Sequence, residues 1–191
     1  MNRRAPMKTA LLLLASFTLL CGIVFPGLVY VASQILFPYQ AGGSLLEVNG
    51  KAVGSQWIGQ EFKEKRYFWG RPSATSPHPY DASSSSGSNF STKNPSLKKL
   101  LLERQQSLLL AHPGRTNIPA DLLFASGSGL DPEISPEAAR FQALRVAAAR
   151  GLQEEQVLKL IDETTAERQL QVMGERRVNV LRLNLALDAI R

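Results

Sequence analysis

Between Lys8 and Glu47 no side chain carries a formal charge, and from Thr9 to Phe37 the chain reads TALLLLASFTLLCGIVFPGLVYVASQILF. A helix of about 20 apolar residues crosses the hydrocarbon of a bilayer, and this run is longer than that. A membrane-spanning helix over 9–37 is therefore the first expectation. No Asp, Glu, Lys or Arg interrupts it, so nothing marks a charged pathway within the membrane. A cleaved secretory signal has an apolar region of about 7–15 residues followed by small residues. Ala41-Gly42-Gly43 supplies the small residues, but the apolar run is too long. A lipoprotein reading built on Cys21 fails because Leu20 is not small and the apolar residues continue past the cysteine. The segment reads as a retained anchor, with Cys21 a small apolar membrane residue.

Its direction follows from the flanks. Arg3, Arg4 and Lys8 precede the span, and the next basic residue is Lys51. The positive-inside bias puts residues 1–8 in the cytoplasm and residues 38–191 outside, in the periplasm or at the cell exterior, as a single-pass protein of the inner (plasma) membrane. Tyr30, Phe37 and Tyr39 suit an aromatic belt at the outer end. Pro26-Gly27 in mid-span predicts a bend, or else a place where another helix approaches closely.

The remainder is long enough for one domain of about 100–150 residues, and its composition excludes several classes. With 1 Cys there is no intramolecular disulfide, and 2 His leave little for metal chemistry. Removing Arg3, Arg4 and Lys8 from the 22 basic residues leaves 19 against 16 acidic ones, scattered along the chain, so no nucleic-acid surface is expected.

The expected fold class is α+β: a single N-terminal transmembrane helix followed by one extracytoplasmic α+β domain. Asn49-Gly50 between Leu46/Val48 and Ala52/Val53 is a hairpin-turn signal. The aromatic run Trp57 to Ala74, ended by Gly70 and Pro72, predicts a β-rich subregion, with core packing favoured over a ligand platform. Residues 75–94, TSPHPYDASSSSGSNFSTKN, form a long Ser-rich loop in which His78 is an exposed residue. Asn94-Pro95 starts a helix whose Leu97, Leu100, Leu101, Leu108 and Leu109 predict a well-buried stripe, ending at His112-Pro113-Gly114. Ser135-Pro136 caps a helix over 137–150 with Ala138, Phe141, Leu144 and Ala148 on one face, stopped by Gly151. A further helix spans about 153–165 with Val157, Leu160 and Ile161 inward. The stretch 178–187 reads as helix capped by Asn179 or as strand from its alternating leucines.

The usual motif tests fail. No Gly-x-x-x-x-Gly-Lys-Ser/Thr is present. Pro132 breaks the dinucleotide pattern begun by Gly127 and Gly129, and Ser126 and Leu130 occupy the positions where a nucleophile elbow needs glycine. Ser126-Gly127-Ser128-Gly129 reads as a tight turn, with Asp121 and Asp131 capping backbone amides or, alternatively, holding a cation. His112 as base for Ser126 or Ser128 leaves one enzymatic alternative, a membrane-anchored extracytoplasmic serine hydrolase.

The ordered blocks Tyr67-Phe68-Trp69-Gly70-Arg71-Pro72-Ser73-Ala74, Ser86-Gly87-Ser88-Asn89, Asn94-Pro95, Pro119-Ala120-Asp121, Ser126 to Pro132, Ile134-Ser135-Pro136, Arg145-Val146-Ala147, Arg150-Gly151-Leu152, Val178-Asn179-Val180-Leu181 and Leu183 to Leu187 are shared features. Through them the chain resembles the KdpC family, the C subunit of the bacterial high-affinity potassium-transporting P-type ATPase. The resemblance implies a non-catalytic accessory subunit with no catalytic residues and no metal of its own. It implies three partners: a potassium-channel-like subunit, an ATP-hydrolysing subunit and a small membrane peptide. It further implies support of assembly and a catalytic-chaperone effect on ATP use. ATP would be met only within the complex, near Ser86, Gly87, Ser88 and Asn89. Phe90-Ser91-Thr92-Lys93 departs here from a leucine-glycine-proline-like continuation. The topology read from the flanks puts those four residues outside the membrane, which favours bracing the potassium-entry side of the channel subunit over direct contact with ATP.

Overall fold

The computed structural model describes residues 4–190; Arg3 and Arg191 lie outside the described residues. The chain divides into two units that meet between Leu45 and Leu46.

In the first unit α1 (Arg4–Leu19), a π-helical turn (Leu20–Val24) and α2 (Phe25–Leu36) follow without a break, and a short α3 (Pro38–Ala41) comes after. Pro6–Leu36, 31 residues, is long and apolar enough to cross a membrane, and none of its most apolar window is covered by the rest of the chain. The bend expected at Pro26-Gly27 takes the form of a register slip. Proline has no N–H and its ring crowds the carbonyl one turn earlier. Immediately before it, the N–H of Phe25 reaches five residues back to the carbonyl of Leu20, which is the π turn.

The second unit mixes helix and sheet. A hairpin, β1 (Leu45–Val48) and β2 (Lys51–Ser55), turns at Asn49 and Gly50 with φ of 52° and 73°, the left-handed pair that Asn-Gly adopts readily. From there to Asn94 the described chain contains no helix or strand, so the aromatic run is not the β-rich subregion that its composition predicts. Its backbone is satisfied by side chains instead of a ladder, as described below.

Next come α4 (Pro95–Ala111), α5 (Ala120–Leu123), β3 (Glu133–Ile134), α6 (Pro136–Arg150), α7 (Glu154–Thr164), β4 (Thr165–Ala166), β5 (Arg177–Asn179) and α8 (Val180–Ala189). The expected caps are present: the Asn94 side chain accepts from the Ser96 N–H at 2.9 Å, Ser135 Oγ from Ala138 N–H at 3.0 Å, and Gly151 closes α6 at φ 67°. Residues 178–187 resolve into both readings in succession. Val178 pairs with Ile134 and Thr165 at the centre of an antiparallel sheet ordered β3-β5-β4, and Asn179 then caps α8.

The core lies between α6, α7, α8 and the Phe68 segment, with Phe68, Val146, Ile161, Leu183 and Leu187 essentially inaccessible. Two faces differ from expectation. In α4 only Leu108 is buried, so the leucine stripe is mostly half-exposed and Leu110 points to solvent. In α6 the buried face is centred on Ala139, Gln142, Ala143 and Val146, while Leu144 and Ala148 are exposed. Ala138 and Phe141 are buried as expected. Small alanines let α6 approach α7 closely, so the face richest in alanine, rather than the one with the largest side chains, turns inward.

Candidate functional site

The segment Tyr67–Thr75 is the hub of the second unit. Phe68 is fully buried yet belongs to no strand, so its backbone N–H and C=O need partners from elsewhere. Asn184 supplies both: its Oδ1 accepts from Phe68 N–H at 2.8 Å and its Nδ2 donates to the Phe68 carbonyl at 3.0 Å. Gln142 repeats the arrangement one residue on, accepting from Trp69 N–H at 2.8 Å and donating to the Trp69 carbonyl at 3.1 Å. Two side-chain amides thus replace a neighbouring strand.

Buried Arg145 ties this hub to α4. Its Nε–H donates to His112 Nε2 at 2.9 Å, its other nitrogens donate to Gln142 Oε1 and the Lys65 carbonyl, and its guanidinium lies 4.0 Å from the centre of the Trp69 ring. His112 Nδ1 donates to the Leu108 carbonyl at 2.8 Å, which leaves Nε2 free to accept and makes the ring neutral. Burial, with the nearby Arg145 and Arg115 charges, lowers the His112 pKa to about 4 against the pull of the Leu108 carbonyl. Burial also lowers that of Arg145, to about 10. Both ring nitrogens of His112 are therefore engaged in the core. That removes the base which the serine-hydrolase alternative requires for Ser126 or Ser128.

Further along, the hub fastens two sequence motifs to each other. Ser73 Oγ donates to the Gly129 carbonyl at 2.8 Å, Ser126 N–H donates to the Pro72 carbonyl at 3.3 Å, and Ser86 N–H donates to the Ser128 carbonyl at 2.9 Å. The Ser-rich loop and the Ser126–Gly129 turn lie so close that a Cβ on Gly87 would stand 2.9 Å from the Gly127 carbonyl oxygen. One on Gly129, whose φ is +70°, would stand 2.6 Å from that of Ser86. Of the four residues in the expected nucleotide region, Ser86 and Gly87 form this zipper, Ser88 follows, and Asn89 turns the chain at φ 51°. His78 is exposed, as expected, and its carbonyl accepts from Thr75 Oγ1.

Tyr80 closes the loop's other end. Its ring fills the space above Gly59 and its hydroxyl that above Gly70, so that an added Cβ at either would stand 2.5 Å away, and the hydroxyl donates to the Arg71 carbonyl. Burial, then the Asp131 and Glu61 charges, push its pKa up to about 12. Asp131 accepts from Arg71 at 3.0 Å and from Glu133 N–H at 3.0 Å, and Asp121 accepts from Ser135 N–H at 2.7 Å, so both aspartates act as backbone caps. Arg71, Asp131, Glu133 and Arg177 line an open groove of about 1150 Å³ in which the opposite charges pair, Arg177 with Glu133 at 2.9 Å.

Chemically this is a rigid polar lattice. The sequence reading assigns no role to Gln142 or Tyr80, and takes Arg145 and Asn184 only as parts of the blocks that carry the resemblance; the signals were a glutamine and an arginine amid the alanines of α6 and two glycines flanking an aromatic run. The model of the KdpC family, "K+-transporting ATPase, c chain", matches residues 7–189. The chain is similar to the potassium-transporting ATPase KdpC subunit of Methylococcus capsulatus, 55% identical over 185 residues covering 96% of this chain and 97% of that one. It is 51% identical to that of Herpetosiphon aurantiacus over 189 residues, 98% of each chain. To that of Serratia proteamaculans it is 52% identical over 186 residues, 97% of this chain and 98% of the other. With the matched region reaching from the apolar span through the Phe68 hub to α8, the chain belongs to the KdpC family, the c chain of K+-transporting ATPases.

Proposed function

We propose that this chain is the anchored accessory subunit of a potassium-uptake pump. In this reading its N-terminus is cytoplasmic and residues 38–191 lie outside the inner membrane. Its partners are a channel-like subunit, an ATP-hydrolysing subunit and a small membrane peptide, and it supports their assembly. The observation that carries the reading is the 31-residue helix Pro6–Leu36, long and apolar enough to cross a membrane and with none of its most apolar window buried, in a protein of a family of ATPase subunits. One span offers no route for an ion by itself, whereas it can dock against other spans.

The catalytic-chaperone effect on ATP use is then indirect. The second unit holds its partners in a geometry competent for hydrolysis, bracing the side where potassium enters, while Ser86 and Gly87 keep the loop zipped to the Ser126–Gly129 turn. Changing Ser88 and Asn89 together to Ala in the assembled pump is the test. The ATP concentration for half-maximal hydrolysis should stay within about twofold, since neither side chain would touch nucleotide. A large rise with assembly intact would contradict this and put nucleotide at the loop.

A further inference from the structure

Between β4 and β5 the chain makes a protruding hairpin. Gln169 and Met173 exchange both backbone hydrogen bonds at 2.9 Å, and Leu170 and Gln171 make the turn at φ 51° and 64°. Two cross-strand ion pairs, Arg168 with Glu175 and Arg176 with Glu167, stiffen the stem. At the tip Leu170, Val172 and Met173 are 83%, 75% and 57% exposed. Left-handed turn positions favour Asn, Asp or Gly, and a leucine there is both strained and apolar. Local preference and solvation therefore both argue for a polar tip, yet the chain holds three apolar side chains out on a braced stem.

Charge selects what covers them. The collar of Glu167, Arg168, Glu175 and Arg176 is internally paired and carries no net charge. A loop seated on an anionic lipid surface presents unpaired Lys or Arg around its apolar tip. A neutral, paired collar around an apolar centre is the rim-and-core pattern of a protein contact. We propose that the tip of the 167–176 hairpin is an anchor that inserts Leu170, Val172 and Met173 into an apolar socket on another subunit of the pump. This rests on the reading of the chain as an accessory subunit. Three side chains make a local anchor within a larger interface, the scale at which a few residues dominate affinity.

The test uses the whole pump in mild detergent and in membranes. Leu170→Asn, Val172→Thr and Met173→Gln together keep the turn and strand preferences, so thermal unfolding of the chain should be unchanged. Co-purification of the partner subunits should fall at least tenfold; wild-type yield would overturn the proposal. As a second, near-native probe, Val172→Cys in a Cys21→Ala chain is assembled and labelled. The expected result is protection from an aqueous maleimide, together with no quenching of a pre-attached fluorophore by brominated lipid. Reaction with the maleimide shows an open tip, quenching shows a lipid-seated one, and either overturns the proposal. A cytoplasmic topology for the domain would defeat the outside placement under "Proposed function" while leaving these readouts to judge the socket separately.

Discussion

At the scale of single residues, the second unit depends on polar side chains buried where the chain lacks a sheet. Asn184→Leu keeps the branched outline of the side chain and removes both hydrogen bonds to the Phe68 backbone. With that N–H and C=O left unpaired in the core, the variant should lose about 2–4 kcal/mol, read from urea unfolding in detergent. His112 gives the fold a pH dependence with a definite sign. Its pKa is about 4 in the folded chain, below the 6.5 of an ordinary histidine. Between those two values the unfolded chain binds a proton that the native one does not, so stability rises with pH and is lost as pH falls through the window. The contribution is about 1.4 kcal/mol per pH unit there. Unfolding midpoints at pH 7 and pH 4.5 check it, and His112→Gln, which does not titrate, should flatten that part of the profile.

At the scale of elements, the zipper between the Ser-rich loop and the Ser126–Gly129 turn makes the sharpest prediction. In Gly129→Ala the new Cβ would meet the Ser86 carbonyl and Thr75 at 2.6 Å, at a φ of +70° that L-residues resist. Loop 75–94 should detach, and its cleavage by limited proteolysis should accelerate well before global unfolding; an unchanged cleavage rate would contradict the zipper. Elements with local causes were legible in the sequence: the Asn49-Gly50 hairpin, the Asn94 and Ser135 caps, the Gly151 stop and the apolar span. What was not legible has non-local causes. Aromatic composition predicted strands for Tyr67–Ala74, but Gln142 and Asn184, 73 and 116 residues away, satisfy that backbone without a ladder. On α6, Ala138 and Phe141 are buried as their spacing predicts, but the buried stripe runs on through Ala139, Ala143 and Val146 and leaves Leu144 and Ala148 exposed, because small side chains let a helix approach its neighbour closely. The leucines of α4 repeat at helical spacing but have little of the chain to pack against.

At the scale of the whole molecule, a helix long and apolar enough to cross a membrane precedes a domain whose buried polar groups bind one another, in a chain of the KdpC family. The motifs that carried the family resemblance turn out to be the lattice itself: Tyr67 to Ala74, Ser86-Gly87 and Ser126 to Asp131 hold each other in place. Ser86 and Gly87 pack against the Ser126–Gly129 turn, and the tip of the 167–176 hairpin, silent in the sequence, is an exposed apolar feature. The central claim is that this lattice stands outside the membrane, braced against partner subunits. A tandem of alkaline phosphatase or a fluorescent protein fused after residue 191, in cells producing the whole pump, tests it most directly. The account predicts an active phosphatase and a dark fluorescent protein. A bright fluorescent protein with an inactive phosphatase would put the domain in the cytoplasm, contradict the outside placement and return Ser86 to Asn89 to the compartment that holds ATP.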